Sequence, residues 1–207
     1  MCGIAGIMTA DGSAPDGAAL EAMRTALAHR GPDGDAVWAL GDTGLVHTRL
    51  AIIDLETGDQ PLFGPGGAAL VANGEIYNYI ELRDELAGTE FATGSDCEPV
   101  LHYYRDHGVD FAGWLRGMYA LAIFDPQERR LVLARDPFGI KPLYYAQTDA
   151  GFAFASEPQA LLSAGFGSRS LRDRSVRELL QLQFTTGAES LYEGIHRVRP
   201  GETIVVA

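Results

Sequence analysis

MCGIAGIM, residues 1–8, opens the chain as a short apolar run that contains two glycines. A run of this length and composition predicts a buried strand. In the next segment, residues 16–29, Leu20, Met23 and Leu27 are spaced three and four apart, as on one face of a helix. Asp16 is predicted to cap the N-terminus of this helix. The beginning of the chain therefore predicts a buried strand followed by an amphipathic helix.

Further along, predicted strands occur in groups, and predicted helices lie between the groups. The predicted strands are residues 36–40, 44–47, 50–55, 68–72, 117–124, 130–134, 143–146, 152–155 and 203–206. The predicted helices are residues 76–86, 96–107, 158–164 and 173–183. Because strands and helices do not alternate strictly, this order favours antiparallel sheets with helices packed outside, an α+β fold, over a doubly wound parallel sheet.

Composition and charge exclude several classes of protein. The chain has 207 residues, 46% of them apolar, which is enough for one domain with a sizeable core. The net charge of −12 disfavours nucleic acids and anionic membrane surfaces as partners. No apolar run approaches the ~18 residues that a membrane helix needs. Two cysteines without a CxxC motif, and no visible signal peptide, lead us to expect a cytoplasmic protein.

Cys2 is the first candidate for chemistry. An ordinary thiol is mostly protonated at neutral pH and needs a base nearby to become a nucleophile. Removal of Met1 would create such a base in the same residue, because an α-amine has a pKa of about 7.7–8.0. The alternative is that Cys2 is simply a small buried residue of the first strand, which is the commoner fate of a free cysteine.

Asn73 and Gly74 follow an apolar strand and are candidates for an oxyanion hole. An Asn side-chain N–H and a Gly backbone N–H form a suitable donor pair for the oxyanion that forms when a thiolate attacks an amide. The alternative is an ordinary Asn-Gly turn. However, the residues after Gly74 lead directly into a predicted helix, and this does not fit a hairpin.

Eight motifs stand in a fixed order along the chain. They are Cys2-Gly-Ile4, His29-Arg-Gly-Pro-Asp33, His47-x-Arg49-Leu50-x-Ile52-Ile53-Asp54, Gln60-Pro61, Asn73-Gly-Glu-Ile-Tyr-Asn78, Gly94-Ser-Asp96-x-Glu98, Arg116-Gly-Met-Tyr-Ala120 and Arg135-Asp-x-x-Gly139-x-Lys-Pro-Leu143. This set resembles the glutaminase domain of glutamine-hydrolysing asparagine synthetases, which are class II amidotransferases with an N-terminal nucleophile. The resemblance extends from Cys2 to about Gly201.

The resemblance implies a fold and a domain organisation. The expected fold is the four-layer αββα sandwich of N-terminal nucleophile (Ntn) hydrolases, with two antiparallel sheets flanked by helices. Residues 1–207 would form a single amidotransferase domain with its core at about 2–164. Residues 165–207 would be a C-terminal extension that leads toward a synthetase domain absent from this chain.

The resemblance also implies a role for each matching site residue. Cys2 would be the nucleophile, and Asn73 and Gly74 would form the oxyanion hole. Arg49 would bind the α-carboxylate of glutamine, and Asp96 would bind its α-ammonium group. The rest of the substrate-binding site would be formed by Leu50, Ala51, Ile52, Ile53 and Glu75. The combination of Arg49 and Asp96 is physically sensible, because a site that selects a zwitterion needs one cation and one anion at a fixed separation.

The implied activity is hydrolysis of glutamine to glutamate and ammonia, for use in ATP-dependent asparagine synthesis from aspartate. The chain has no Ser-Gly-Gly-x-Asp-Ser loop, no Walker loop and no GxGxxG motif. We therefore expect no cofactor and no metal in this chain, and ATP and Mg only in the synthetase half. The expected partners are L-glutamine and that synthetase, with a homodimer as a further possibility. Two alternatives stay open: a related ligase with another acceptor, and a non-catalytic module of the same fold.

Overall fold

Two antiparallel β-sheets and five α-helices form the protein, which we describe from a computed structural model of all residues 1–207. The strands are β1 (Gly3–Thr9), β2 (Gly34–Leu40), β3 (Thr43–Arg49), β4 (Leu62–Phe63), β5 (Ala69–Ile76), β6 (Gly117–Asp125), β7 (Arg130–Arg135), β8 (Tyr144–Thr148), β9 (Gly151–Ala155), β10 (His196–Arg197) and β11 (Thr203–Val206). The helices are α1 (Gly17–Leu27), α2 (Tyr79–Glu85), α3 (Glu98–His107), α4 (Pro158–Ser163) and α5 (Asp173–Leu182). None of them combines the length and apolar character that crossing a membrane requires.

The first sheet has the strand order β10-β8-β9-β1-β3-β2, and the second has the order β11-β7-β6-β5-β4. β1 therefore lies in the middle of the first sheet, paired with β3 on one side and β9 on the other. The predicted strand at residues 1–8 is confirmed. Its alternate side chains enter two different cores, with Ile4 and Met8 on one face and Ala5 and Ile7 on the other.

Three apolar cores separate four layers of structure. The first core packs α1 and α4 against the first sheet, through residues such as Met23 and Leu161. The second core lies between the two sheets and includes Ile4, Val71 and Leu133. The third core packs α2 and α3 against the outer face of the second sheet. This order of helices, sheet, sheet and helices is the αββα arrangement expected from the resemblance.

The two glycines of β1 are required by close packing. A Cβ atom on Gly6 would lie 2.5 Å from the ring of Phe154 and 2.6 Å from the carbonyl oxygen of Gly44. A Cβ atom on Gly3 would lie 2.6 Å from the hydroxyl oxygen of Thr48. Real Cβ contacts are not this short, so larger residues would push β1 away from both neighbouring strands.

The helix predicted at residues 16–29 is confirmed as α1, with Asp16 as its N-cap. The Asp16 side chain accepts a 2.9 Å hydrogen bond from the backbone N–H of Ala18. Leu20, Met23 and Leu27 are its buried residues, as their spacing predicts.

Three predicted elements differ from the structure. The strand predicted at residues 50–55 is wrong, because this segment is a loop that contains a turn. The helix predicted at residues 76–86 begins only at Tyr79, since β5 continues through Ile76. The helix predicted at residues 96–107 begins at Glu98. Ile76 and Asp96, the first residues of the two predicted helices, are hydrogen-bonded to each other and lie outside both helices. The Ile76 N–H donates to the Asp96 carboxylate at 2.7 Å.

Residues 165–207 contribute to both sheets. β10 pairs with β8 at one edge of the first sheet, and β11 pairs with β7 at one edge of the second sheet. α5 presents the exposed side chains of Leu180 and Leu182. The role of residues 165–207 as an extension that leads toward a synthetase domain stays a prediction.

Candidate active site

A cavity of about 70 Å³, lined by both charged and apolar residues, opens where the layer between the two sheets ends. On this measure one water needs roughly 10–15 Å³, so the cavity accommodates a small polar molecule. Nine of the ten predicted site residues line it, and they come from β3, β5, the loop after β3 and the segments just before β1 and α3. These nine are Cys2, Arg49, Leu50, Ile52, Ile53, Asn73, Gly74, Glu75 and Asp96. Strands that are far apart in sequence thus bring their polar ends together here.

Cys2 lies immediately before β1 and is half-buried. Its Sγ accepts a hydrogen bond from the Leu50 N–H at 3.4 Å and lies 3.6 Å from the Leu50 carbonyl oxygen. The Arg30 guanidinium donates to the Cys2 carbonyl oxygen at 3.0 Å, and also to the Glu157 carboxylate at 2.7 Å. These contacts fix the backbone of Cys2, so its sulfur has a defined position at the cavity wall.

Asn73 and Gly74 are part of β5 and do not form a hairpin turn, so the turn alternative is wrong. They pair with Ala120 and Tyr119 of β6. The Asn73 side chain is 1% exposed, and its Nδ2 group has no hydrogen-bond partner in the protein. Leaving a buried donor unpaired costs about 1–3 kcal/mol. An unpaired amide donor that lines the same cavity as Cys2 suits an oxyanion.

Arg49 stands at the end of β3, on the face that points between the sheets. Its guanidinium donates to the Asp59 carboxylate at 2.7 Å and to the Asp54 carbonyl oxygen. The Asp59 side chain is 83% exposed, so this ion pair contributes little to stability. A carboxylate of a bound ligand can therefore replace Asp59 on the guanidinium at small cost.

Asp96 provides a buried negative charge in the cavity. Its carboxylate accepts the hydrogen bond from the Ile76 N–H, and no Arg, Lys or His forms a salt bridge with it. Burial raises the pKa of Asp96 above its ordinary value. Glu75 lies on the same wall. An ammonium group bound here would compensate the buried carboxylate.

The loop after β3 provides most of the predicted backbone and apolar contacts. Leu50, Ile52 and Ile53 line the cavity, whereas Ala51 does not. The Ala51 N–H instead donates to the Asp33 carboxylate at 2.9 Å. Ala51 thus anchors the loop, and its assigned role in substrate binding stays a prediction.

Sequence reasoning missed several residues of the cavity wall, among them His47, Gln60, Cys97 and Lys141. Burial lowers the pKa of His47 to about 4, so its imidazole is neutral at physiological pH. Burial raises the pKa of the Cys97 thiol, which makes this thiol a poor nucleophile. Gln60 accepts a hydrogen bond from the Ala72 N–H at 2.6 Å. Apart from the motif order, no sequence pattern marked these residues.

The 207 residues include no cluster of side chains suited to a metal ion. No group of three or more His, Cys, Asp or Glu residues is arranged to hold a metal ion. The expectation that this chain needs no metal or cofactor stays a prediction.

Comparison with known proteins places this geometry in a family context. A family model described as a glutamine amidotransferase domain matches residues 1–207. The putative glutamine-hydrolyzing asparagine synthetase of Mycobacterium tuberculosis is 41% identical over 224 residues, covering 97% of this chain and 34% of that protein. Asparagine synthetase 1 of Bacillus subtilis, also glutamine-hydrolyzing, is 36% identical over 212 residues, covering 100% of this chain and 33% of that protein. The chain spans about a third of the length of these curated relatives.

The fold agrees with solved structures. The glutamine phosphoribosylpyrophosphate amidotransferase of Bacillus subtilis, solved with ADP and GMP, has a TM-score of 0.71 at 23% identity. The match covers 99% of this chain and 47% of that chain. The predicted α+β fold of the Ntn type is thereby confirmed. On the family match over all 207 residues, this chain belongs to the glutamine amidotransferase domains.

Proposed function

We propose that Cys2 of this amidotransferase domain hydrolyses the side-chain amide of L-glutamine to glutamate and ammonia. One observation carries the proposal: the Cys2 thiol, immediately before β1 of the first sheet, and the unpaired Nδ2 donor of Asn73, in β5 of the second sheet, line one cavity. A nucleophile and an oxyanion donor are the two groups that amide cleavage requires first.

The charges of the cavity suit glutamine as the substrate. The carboxylate partner of the Arg49 guanidinium within the protein is Asp59, whose side chain is solvent-exposed. A ligand carboxylate would bind to this guanidinium in a two-pronged geometry. Asp96 presents a buried carboxylate without a cationic partner, and an α-ammonium group would bind there. A substrate that lacks either charge would leave one of these groups uncompensated.

The chemistry proceeds by acyl transfer. After removal of Met1, the α-amine of Cys2 takes the thiol proton, and the sulfur forms a bond to the side-chain carbonyl carbon of glutamine. The amide oxygen becomes an oxyanion that accepts hydrogen bonds from Asn73 Nδ2 and the Gly74 N–H. The ammonium group then returns a proton to the leaving nitrogen, and ammonia departs. A water molecule, deprotonated by the same amine, cleaves the γ-glutamyl thioester to glutamate and restores the thiol.

The destination of the ammonia is the finer part of the proposal. The relatives named above are asparagine synthetases, so we infer that the ammonia serves ATP-dependent asparagine synthesis from aspartate. ATP and Mg would bind to the synthetase portion and not to this chain. A homodimer and a cytoplasmic location are also part of the proposal. The free thiols of Cys2 and Cys97 support a reducing compartment.

The decisive experiment measures glutamate formed from glutamine by protein whose Met1 has been removed, as verified by intact mass. We expect Cys2→Ala to abolish activity, because no nucleophile remains. Cys97→Ala is the matched control, since it removes the other thiol of the chain, and we expect it to retain glutaminase activity. Protein that retains Met1 should be inactive, because the nitrogen of Cys2 is then an amide and cannot accept a proton.

Two outcomes would contradict the proposal. One is equal release of ammonia by the wild type and by Cys2→Ala. The other is an inactive wild type with a free Cys2 amine and a native melting temperature, which would favour a non-catalytic module.

A further inference from the structure

Lys141 is the only lysine in the chain, and every other basic side chain among the 207 residues, histidine aside, is an arginine. Lysine is usually a surface residue, yet Lys141 is only 7% exposed. Its side chain lines the cavity that also contains Cys2 and Asn73. The one lysine of this sequence is therefore buried at the proposed reaction centre.

The backbone around Lys141 is fixed from two sides. The Asp136 carboxylate, which is fully buried, accepts hydrogen bonds from the N–H groups of Ile140 and Lys141, each at 3.0 Å. The Arg135 guanidinium donates to the carbonyl oxygens of Lys141 at 2.7 Å and Gly139 at 2.8 Å. A loop held in this way gives the side chain of Lys141 a defined origin.

The same residue, Asp136, ties this loop to β6, the strand that pairs with the oxyanion-hole strand β5. Asp136 accepts a hydrogen bond from the Tyr119 N–H at 3.3 Å, and the Asp136 N–H donates to the Tyr119 carbonyl oxygen at 2.8 Å. Tyr119 is the residue of β6 directly opposite Gly74 of β5. The loop that carries Lys141 is thus attached next to the proposed oxyanion hole.

The ammonium group of Lys141 has no partner within the protein. It makes no hydrogen bond and no salt bridge with any of the 207 residues. A cation in a cavity wall that has no direct counter-charge favours any bound species that carries negative charge nearby. Arg49 and Asp96 already match the two charges of a glutamine zwitterion. Lys141 and Glu75 remain as additional charges in the cavity wall, and no salt bridge joins them.

We propose that Lys141 stabilises the negative charge that develops on the amide oxygen of glutamine when the Cys2 sulfur attacks. This inference rests on the glutaminase function proposed above. As the bond between sulfur and carbon forms, the electron pair of the C=O bond moves onto the oxygen, and it returns when ammonia leaves. The ammonium of Lys141 acts on that transient charge across the cavity, in addition to the hydrogen bonds from Asn73 and Gly74. A lysine suits this place because its charge is compact and needs fewer partners than a guanidinium.

The first test is the steady-state kinetics of Lys141→Met with glutamine. We expect kcat to fall by about 10- to 100-fold, with KM within about threefold of the wild-type value, because the lost interaction exists mainly in the transition state. Lys141→Arg should recover part of kcat, since it restores a positive charge. Arg169→Met is the matched control, because Arg169 is exposed and does not line the cavity.

A second test uses the wild-type protein and the uniqueness of the lysine. Protein labelled with ¹⁵N-lysine has a single side-chain ammonium resonance in its NMR spectrum. An aldehyde analogue of glutamine adds the Cys2 sulfur and forms a tetrahedral adduct with an oxyanion. We expect the resonance to shift when this analogue is added, and to shift much less in Cys2→Ala, which cannot form the adduct. This test requires no substitution of Lys141.

Three results would overturn the inference. They are an unchanged kcat and KM in Lys141→Met, a raised KM with unchanged kcat in this variant, and a resonance that does not respond to the adduct. The second result would make Lys141 a ground-state binding group. Failure of the glutaminase proposal itself is distinguishable, because the wild type would then release no ammonia.

Discussion

Asp96 illustrates at the scale of one residue how a binding group opposes stability. Its carboxylate is 5% exposed and is compensated by hydrogen bonds but by no cation. Burial raises its pKa above the ordinary value of 3.8, so the native state binds this proton more tightly than the unfolded chain. The tighter binding of the Asp96 carboxyl proton by the native state stabilises the fold at low pH. This stabilisation is lost as the pH rises through the pKa of the unfolded state and then through that of the native state.

We predict that Asp96→Asn weakens glutamine binding and at the same time stabilises the free protein. KM should rise by about tenfold or more, because the α-ammonium loses its counter-charge. The uncharged amide can still accept the hydrogen bond from Ile76, so the melting temperature at about pH 7.5 should equal or exceed that of the wild type. This advantage should shrink at an acidic pH, where the wild-type carboxyl gains its proton. An equal difference in melting temperature at both pH values would contradict this account.

At the scale of an element, β5 depends on the absence of a side chain at Gly74. A Cβ atom there would lie 2.5 Å from the Met118 carbonyl oxygen and 2.7 Å from the Cα of Tyr119. Both atoms belong to the backbone of β6, which cannot move without breaking the β5–β6 pairing. Gly74 thus permits the close approach of two strands at the point where its own N–H is needed.

We predict that Gly74→Ala lowers both the stability and the kcat of the protein. Overpacking of this kind costs typically about 1–3 kcal/mol, and the displaced N–H would no longer face the oxyanion. Gly17→Ala is the matched control, because a Cβ atom on Gly17 meets nothing within 4 Å. Thermal unfolding and glutaminase kinetics of both variants would check the prediction. A melting temperature for Gly74→Ala equal to that of Gly17→Ala would refute it.

At the scale of the whole molecule, the site depends on how the two sheets pack. Cys2 lies immediately before β1 of the first sheet and Asn73 lies in β5 of the second, and both line the cavity at the end of the layer between the sheets. That layer is apolar in its interior, where Leu133 is fully buried. The distance between nucleophile and oxyanion donor is therefore set by the inter-sheet core.

We predict that Leu133→Ala destabilises the protein by about 2–5 kcal/mol and also reduces kcat, because the cavity it leaves lets the sheets shift. Leu180→Ala is the control, since Leu180 is 80% exposed and its loss should change stability by less than about 0.5 kcal/mol. Denaturant unfolding measures the first effect, and glutaminase kinetics below the melting temperature measures the second. If Leu133→Ala is destabilised but retains the wild-type kcat, the inter-sheet core does not control the geometry of the site.

The sequence by itself determined the elements whose signals are local. The apolar run of β1 and the helical spacing and cap of α1 are set by neighbouring residues, and both predictions are confirmed. The order of the motifs also determined the family. The boundaries near Ile76 and at residues 50–55 could not be predicted, because long-range hydrogen bonds, such as the one from Ile76 to Asp96, decide them.

Only the tertiary structure decided which side chains meet. It placed the unpaired Asn73 amide and the unpaired Lys141 ammonium in the cavity of Cys2, and it assigned the Ala51 N–H to Asp33. The physical reason is that burial and partnership are properties of pairs of segments. The local sequence around a hydrogen-bond donor is the same whether or not the donor has a partner in the folded protein. The packing of the two sheets against each other decides whether it has one.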